Sequence, residues 1–199
     1  MDIAVSDNTR KQDLIQEITL AFDGVARGNG VTLHEATVID SYGTPAERAK
    51  ARATDTEKRW QDVPARDIHE IDAALSFLDA EGLNYYIPAY LIWYLQNIDN
   101  TAAHRSNTFE SIPFHLTYQM EGSRLDRFER FTREQGRAIA HFLIFVAERR
   151  EASEMQDFLA EAEYSGMTPE EVDPYVRDYY FERSAVMRKA LAQYWGQFL

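Results

Sequence analysis

Residues 83–98 read LNYYIPAYLIWYLQNI, sixteen residues without a charge. Wound as a helix, the segment has no polar face, because Tyr85, Tyr86, Ile87, Tyr90, Leu91, Ile92, Trp93, Tyr94 and Leu95 fall all round it. A helix of that kind is normally buried by other helices, so this one is the expected centre of the fold. Pro88 lacks the amide donor an interior position would use and is expected to begin the helix or to kink it. Asp79, just upstream, is placed to cap the turn before it.

Upstream, residues 8–23 carry Leu14, Ile15, Ile18 and Phe22 at helical spacing, and the Arg27–Gly30 stretch ends that helix in a loop. Thr32 with Glu35, and Thr44 with Glu47 behind Pro45, are capping-box patterns that open two more helices, the second running to about Trp60. After Val63-Pro64, a short helix is expected with Ile68, Ile71, Ala74 and Leu75 along one side.

Downstream, Asp99–Ser111 is polar and reads as a loop. From Ile112 to Met120 the chain alternates, with Ile112, Phe114, Leu116, Tyr118 and Met120 on one side, which is a strand pattern. No second strand is found, so the segment is an extended stretch over helices or an edge; pairing with its own copy across a two-fold axis would make a homodimer. Thr132 with Gln135 caps a helix striped by Ile139, Phe142, Leu143 and Val146, and Glu151–Tyr164 forms a short acidic helix stopped by Ser165-Gly166. From Pro174 on, Val176, Tyr180, Met187, Leu191, Tyr194 and Phe198 recur at three- and four-residue steps. The expected fold is mainly α: one helical domain over residues 1–199, packed around the helix at 83–98, with at most one short strand or hairpin near 112–120.

Composition narrows function by exclusion. Hydrophobic residues make up 45% of the chain, charged residues 27% and aromatics 13%, enough apolar bulk for a real core. The net charge of −12 argues against nucleic acid or anionic lipid as a partner, since phosphate binding needs clustered Lys and Arg. Residues 61–120 hold eight acids against Arg66 and Arg105, and a second acidic block runs from Glu148 to Asp173. Such acids read either as a solvated surface or as an acidic face that mimics nucleic acid toward a basic protein partner. Arg124, Arg127, Arg130, Arg133 and Arg137 do not reverse this: steps of three drift around a helix, and interleaved acids nearly neutralise them.

The chain has no cysteine, which removes disulfides, thiolate metal sites and cysteine nucleophiles. The opening MDIAVSDNTRKQDL places acids where a signal peptide needs positive charge, and the uncharged stretch is short for a membrane span, so the expected location is cytoplasmic. No glycine-rich phosphate loop, GxSxG elbow or HExxH pair occurs. The five histidines share no helix face; His34-Glu35 and Asp67-x-His69-Glu70-x-Asp72 are the best carboxylate–imidazole groupings, and of these only His69 and Asp72 stand three apart, a pairing common by chance. No metal and no cofactor is expected.

The stretch Ala74–Tyr94, ALSFLDAEGLNYYIPAYLIWY, resembles a family of bacterial proteins known only as a domain of unknown function. Their shared stretch looks like LSFL-x-P-E-x-F-R-F-Y-L-P-A-Y, preceded by a Trp-containing segment similar to Arg59–Pro64. Ser76, Phe77, Glu81, Tyr86, Pro88, Ala89 and Tyr90 match it, whereas Ala80 stands where proline is usual and Asn84 where a base is common. The resemblance implies no activity or catalytic residue. Read physically, the stretch is core architecture, or a pocket to which Asp79, Glu81, Tyr85, Tyr86 and Tyr90 present polar tips for a ligand or partner. Two function classes stay open: a non-enzymatic acidic interaction or regulatory protein of the immunity type, and a hydrolase or other enzyme using carboxylates with His69 or His34.

Overall fold

The computed structural model of the protein describes residues 3–118 and 125–199, with side chains from Asp7 onward. Ten α-helices and no strand occur among the described residues. They are α1 (Ile3–Ala21), α2 (Leu33–Asp40), α3 (Pro45–Arg52), α4 (Ala65–Glu70), α5 (Ala74–Phe77), α6 (Ala80–Asn97), α7 (Asn107–Thr117), α8 (Arg133–Tyr164), α9 (Pro174–Tyr180) and α10 (Glu182–Gln193). None of them is long and apolar enough to cross a membrane.

The aromatic helix α6 is the centre. Tyr85, Tyr86, Ile87, Tyr90, Leu91 and Leu95 are wholly removed from solvent, under α1, α4, α7 and the tight turns at Trp60–Asp62 and Leu125–Phe128. Asp79 caps it, accepting from the Gly82 N–H at 2.8 Å and from the Val31 N–H of the preceding loop at 3.0 Å. That loop lies against the first turn so closely that a Cβ on Gly30 would sit 2.3 Å from the Gly82 nitrogen. One on Gly82 would sit 2.3 Å from the Val31 carbonyl, so glycine is needed on both sides of the contact. Pro88 neither begins α6 nor ends it; it lies inside, fully buried, where packing on all sides outweighs one missing hydrogen bond.

The segment with strand alternation is helical as far as it is described. Ser106 caps α7 by accepting from the Thr108 N–H, and Phe109, Ile112, Pro113 and Leu116 face inward at steps of three and four. Ile112 and Leu116 satisfy both periods, which is why a short window misleads. Phe114 and Tyr118, which a strand would have buried with them, are 46% and 72% exposed and stack on each other. Gln119 and Met120 lie outside the described residues.

Several boundaries also differ from expectation. α3 stops at Arg52, because Thr54, Asp55 and Thr56 turn the chain into a loop whose acids bond elsewhere. The expected helix at Ile68–Leu75 is broken into α4 and α5. The two helices expected over 132–164 are one, capped by the Thr132–Gln135 box and uninterrupted for 32 residues, about 48 Å long. Its link, Glu148-Arg149-Arg150-Glu151, contains only good helix formers. Gly166, in the left-handed region, ends it with Met167 N–H on the Ala162 carbonyl and Gly166 N–H on that of Glu163. The final stripe is divided at Phe181 into α9 and α10, and Trp195 rather than Tyr194 or Phe198 fills the core, donating its indole N–H to the Leu116 carbonyl at 2.7 Å.

The five arginines do not lie on one helix; only Arg133 and Arg137 are on α8. Arg127 donates to the Leu75 and Leu78 carbonyls, Arg130 lies 3.6 Å from Glu81 and Arg137 3.6 Å from Glu17; Arg124 falls outside the described residues.

Because Leu91 and Trp93 are both buried in the core, Leu91→Ala and Trp93→Ala should each cost about 2–5 kcal/mol through lost transfer energy and an unfilled cavity. Urea melts measure this, and losses below about 1 kcal/mol in both would mean a loosely packed helix.

Candidate functional site

The five residues of the aromatic stretch do not converge on one pocket. Asp79 and Glu81 sit together at the start of α6, Glu81 half-buried beneath Gly28. Tyr85 and Tyr86 share the next turn and face the loop after α3. The Tyr86 hydroxyl donates to Glu57 Oε1 at 2.6 Å, and Arg27 binds the same oxygen at 2.9 Å and the Asp55 carbonyl at 2.8 Å. The Tyr85 hydroxyl lies 3.5 Å from the Glu57 carbonyl. Tyr90 lies apart, donating to the Ile71 carbonyl at 3.2 Å. Burial, then the Glu57 charge, pushes the Tyr85 phenol up to about 12, and burial raises Tyr86 and Tyr90 further. All three hydroxyls therefore keep their protons and serve as donors to groups of the protein itself.

The two histidine groupings fare differently. His69 is exposed beside the Trp93 ring, while Asp67 pairs with Arg66 and Asp72 accepts from Asn107, so the carboxylates near it point elsewhere. His34 does meet a buried acid, though not its neighbour Glu35. Its ring Nδ1 lies 2.6 Å from Asp55 Oδ1, and its backbone N–H donates to Oδ2 of the same carboxylate. Glu35 keeps only half of its expected capping box. It accepts from the Thr32 N–H, but its oxygens turn to Arg48 and Arg52, each at 2.9 Å, and the buried Thr32 hydroxyl caps nothing. Burial raises the Glu35 carboxyl, and the two guanidiniums with the Thr32 N–H more than offset this, leaving it below its ordinary value. Among the described residues no three His, Asp or Glu side chains form a group that could hold a metal.

The chain's surplus of negative charge lies at one end. Residues 151–182 hold ten acids and one base, Arg177, a net of −9 out of −12; the other 167 residues are nearly balanced, twenty-three acids against twenty bases. This segment is the second half of α8, the loop beyond it and α9. Phe158, Ala162 and Val172, with Tyr180 and Phe181, make a small core of its own, separate from the main one. Glu154, buried at its root, accepts from the Ser184 N–H and hydroxyl and ties the arm to α10. Glu151 is paired with Arg188, and Glu171 and Asp173 cap local turns. Asp157, Glu163, Glu170, Asp178 and Glu182 are exposed without an ion pair among the described residues. On the same arm Met155, Leu159, Tyr164, Met167, Tyr175 and Tyr179 are all more than 40% exposed, Tyr164 at 90%.

The profile of DUF6714, a family of unknown function, matches residues 10–198. The chain belongs to this family. The match takes in the acidic arm as well as the aromatic helix, so the arm is part of what a DUF6714 chain comprises. No curated protein matches the chain, and no solved structure does.

Sequence reading missed the partners of the tyrosines, since Arg27 and Glu57 lie 59 and 29 residues from Tyr86. It found the acid of the arm but not its aromatic face. The near absence of Lys and Arg around Tyr164, Tyr175 and Tyr179 is the signal that was there to be read.

If the tyrosine tips are bonded within the protein, Tyr86→Phe should lose about 1–2 kcal/mol in urea melts, because buried Glu57 is left short of a donor. An unchanged midpoint would mark the hydroxyl as free for a ligand. For Glu35 the sign follows from its depressed pKa: its contribution is complete above the ordinary value of 4.5 and disappears as pH falls through the lower folded-state value. Glu35→Gln should therefore cost about 2 kcal/mol at neutral pH, and the gap from wild type should shrink in melts near about pH 3.

Proposed function

We propose that the protein is a non-enzymatic, cytoplasmic interaction protein whose arm, residues 151–182, seats a basic protein. The observation that carries this reading is the coincidence on one arm of nine surplus negative charges with six well-exposed Tyr, Met and Leu side chains. A surface that only needs to stay soluble has a use for the acids but none for the aromatics, which cost water structure when left bare. A docking surface uses both. Unpaired carboxylates steer and orient a cationic partner, and Tyr and Met supply large contact area at small conformational cost. A second reading, a hydrolase using carboxylates with His34 or His69, draws on the His34–Asp55 pair, where a buried carboxylate orients the ring as a general base requires.

The test is retention of proteins from a host-cell extract on the immobilised full chain. A basic protein should be held at about 50 mM salt and released by about 500 mM, where screening acts within about 4 Å. Two variants, Tyr175→Ser with Tyr179→Ser, and Asp157→Asn with Glu163→Gln and Asp178→Asn, should each cut its retention about tenfold, a loss of about 1.4 kcal/mol, with thermal melting unchanged. Retention indifferent to both variants would overturn the proposal.

A further inference from the structure

Away from the outer face of the arm, α7 and α10 lie side by side across α8 and leave a cleft of about 440 Å³ between them. Its walls are apolar: Pro113 and Phe114 from α7, Val186 and Met187 from α10. A second cavity of about 340 Å³ continues it along α8, and the two share Glu110, Arg150 and Arg183. The combined space falls within the range of small-molecule sites, and its make-up, apolar walls with a few convergent polar groups, is the usual one.

The two arginines differ in what they have left to offer. Arg150 is 15% exposed and already committed: it donates to Glu110 at 3.0 Å and is hydrogen-bonded to the Tyr94 hydroxyl. Arg183 is exposed and makes no ion pair or hydrogen bond among the described residues, although it stands in a chain with an excess of acids. The carboxylates nearest it in the lining are engaged elsewhere, Glu110 with Arg150 and Glu154 with Ser184, so the Arg183 guanidinium is open to a ligand in the cleft. Phe114 has an equally unspent side chain. One of its neighbours is Tyr118, stacked at 4.8 Å, another is His115, edge-on at 5.2 Å, and it is still 46% exposed at the cleft. His115, 3.2 Å from the Ser76 hydroxyl, fixes α7 against α5 and so holds that wall in place.

We infer that this cleft binds a small monocarboxylate with an apolar body, the carboxylate paired with Arg183 and the body between Phe114 and the Val186–Met187 wall. The charge count sets the class. One free guanidinium matches one carboxylate in bidentate geometry, and the acids of the lining, Glu110 and Glu182 with Glu154 and Asp157 of the second cavity, disfavour a phosphate dianion more strongly than a single negative charge. The cleft shares Glu182, and its extension shares Ser153, Glu154 and Asp157, with the arm, but its apolar walls and Arg183 lie on α7 and α10 outside residues 151–182, so it is tested separately.

The experiment is calorimetric titration of the full chain with 2-naphthoate and with decanoate, each beside its uncharged alcohol, 2-naphthalenemethanol and decanol. At least one carboxylate should bind saturably with one-to-one stoichiometry and about tenfold more tightly than its alcohol. Arg183→Gln should remove that tenfold preference while leaving the alcohol's affinity unchanged, and Phe114→Ala should weaken acid and alcohol alike. Both side chains are exposed, so neither change should lower the melting temperature, which circular dichroism checks. No saturable binding of either carboxylate below about 10 mM, or unaltered binding in Arg183→Gln, would overturn the inference.

Discussion

Buried aromatic side chains with polar ends decide how this molecule is tied together. A tyrosine or tryptophan removed from water must find an acceptor for its O–H or N–H or lose about 1–3 kcal/mol. The helix α6 buries four tyrosines, and each finds its partner in a different part of the chain or shares one with its neighbour. Tyr85 and Tyr86 donate to Glu57 and Tyr90 to Ile71, whereas the Tyr94 oxygen accepts from Arg150 on α8. Trp60 donates to the Phe22 carbonyl and Trp195 to that of Leu116, by the same rule. Each bond adds a fixed direction to contacts that burial alone would leave adjustable.

That requirement accounts for polar groups that would look like a site if seen without their partners. Glu57, Arg27 and Asp55 form a charged cluster under the 23–32 loop, yet each bond in it closes on a tyrosine, a histidine or a carbonyl of the fold. Glu35 with Arg48 and Arg52 does the same for α2 and α3. In the body of the molecule acids are matched by bases, and their charge is spent on structure. In the arm they are not, and large apolar side chains stand among them. The contrast between the two regions, more than any single residue, carries the functional reading. Arg183 belongs to the same contrast with the sign reversed, a base that makes no ion pair among the described residues, beside a cleft with apolar walls.

Much of this was legible from residues alone. The uncharged run at 83–98 can only be a buried helix, Asp79 and the Thr44 and Thr132 boxes mark helix starts by their side-chain chemistry, and Ser165-Gly166 marks an end. These signals are local, carried within about one helical turn, and local chemistry determined them. The surplus charge between Glu148 and Asp173 is likewise a property of the string itself.

What the tertiary structure alone decided is everything that depends on a distant partner. Ile112 and Leu116 fit strand and helix equally, and it is the packing of Phe109, Ile112 and Leu116 against the main core that selects the helix and leaves Phe114 at the cleft. Glu35 could have closed its box on Thr32 in full, but two arginines on α3 offered a stronger, charged bond. Arg150 and Arg183 are the same residue type on two helices. One is spent and the other free only because α7 brings Glu110 to the first and nothing to the second. Composition counts charges; pairing them requires the fold.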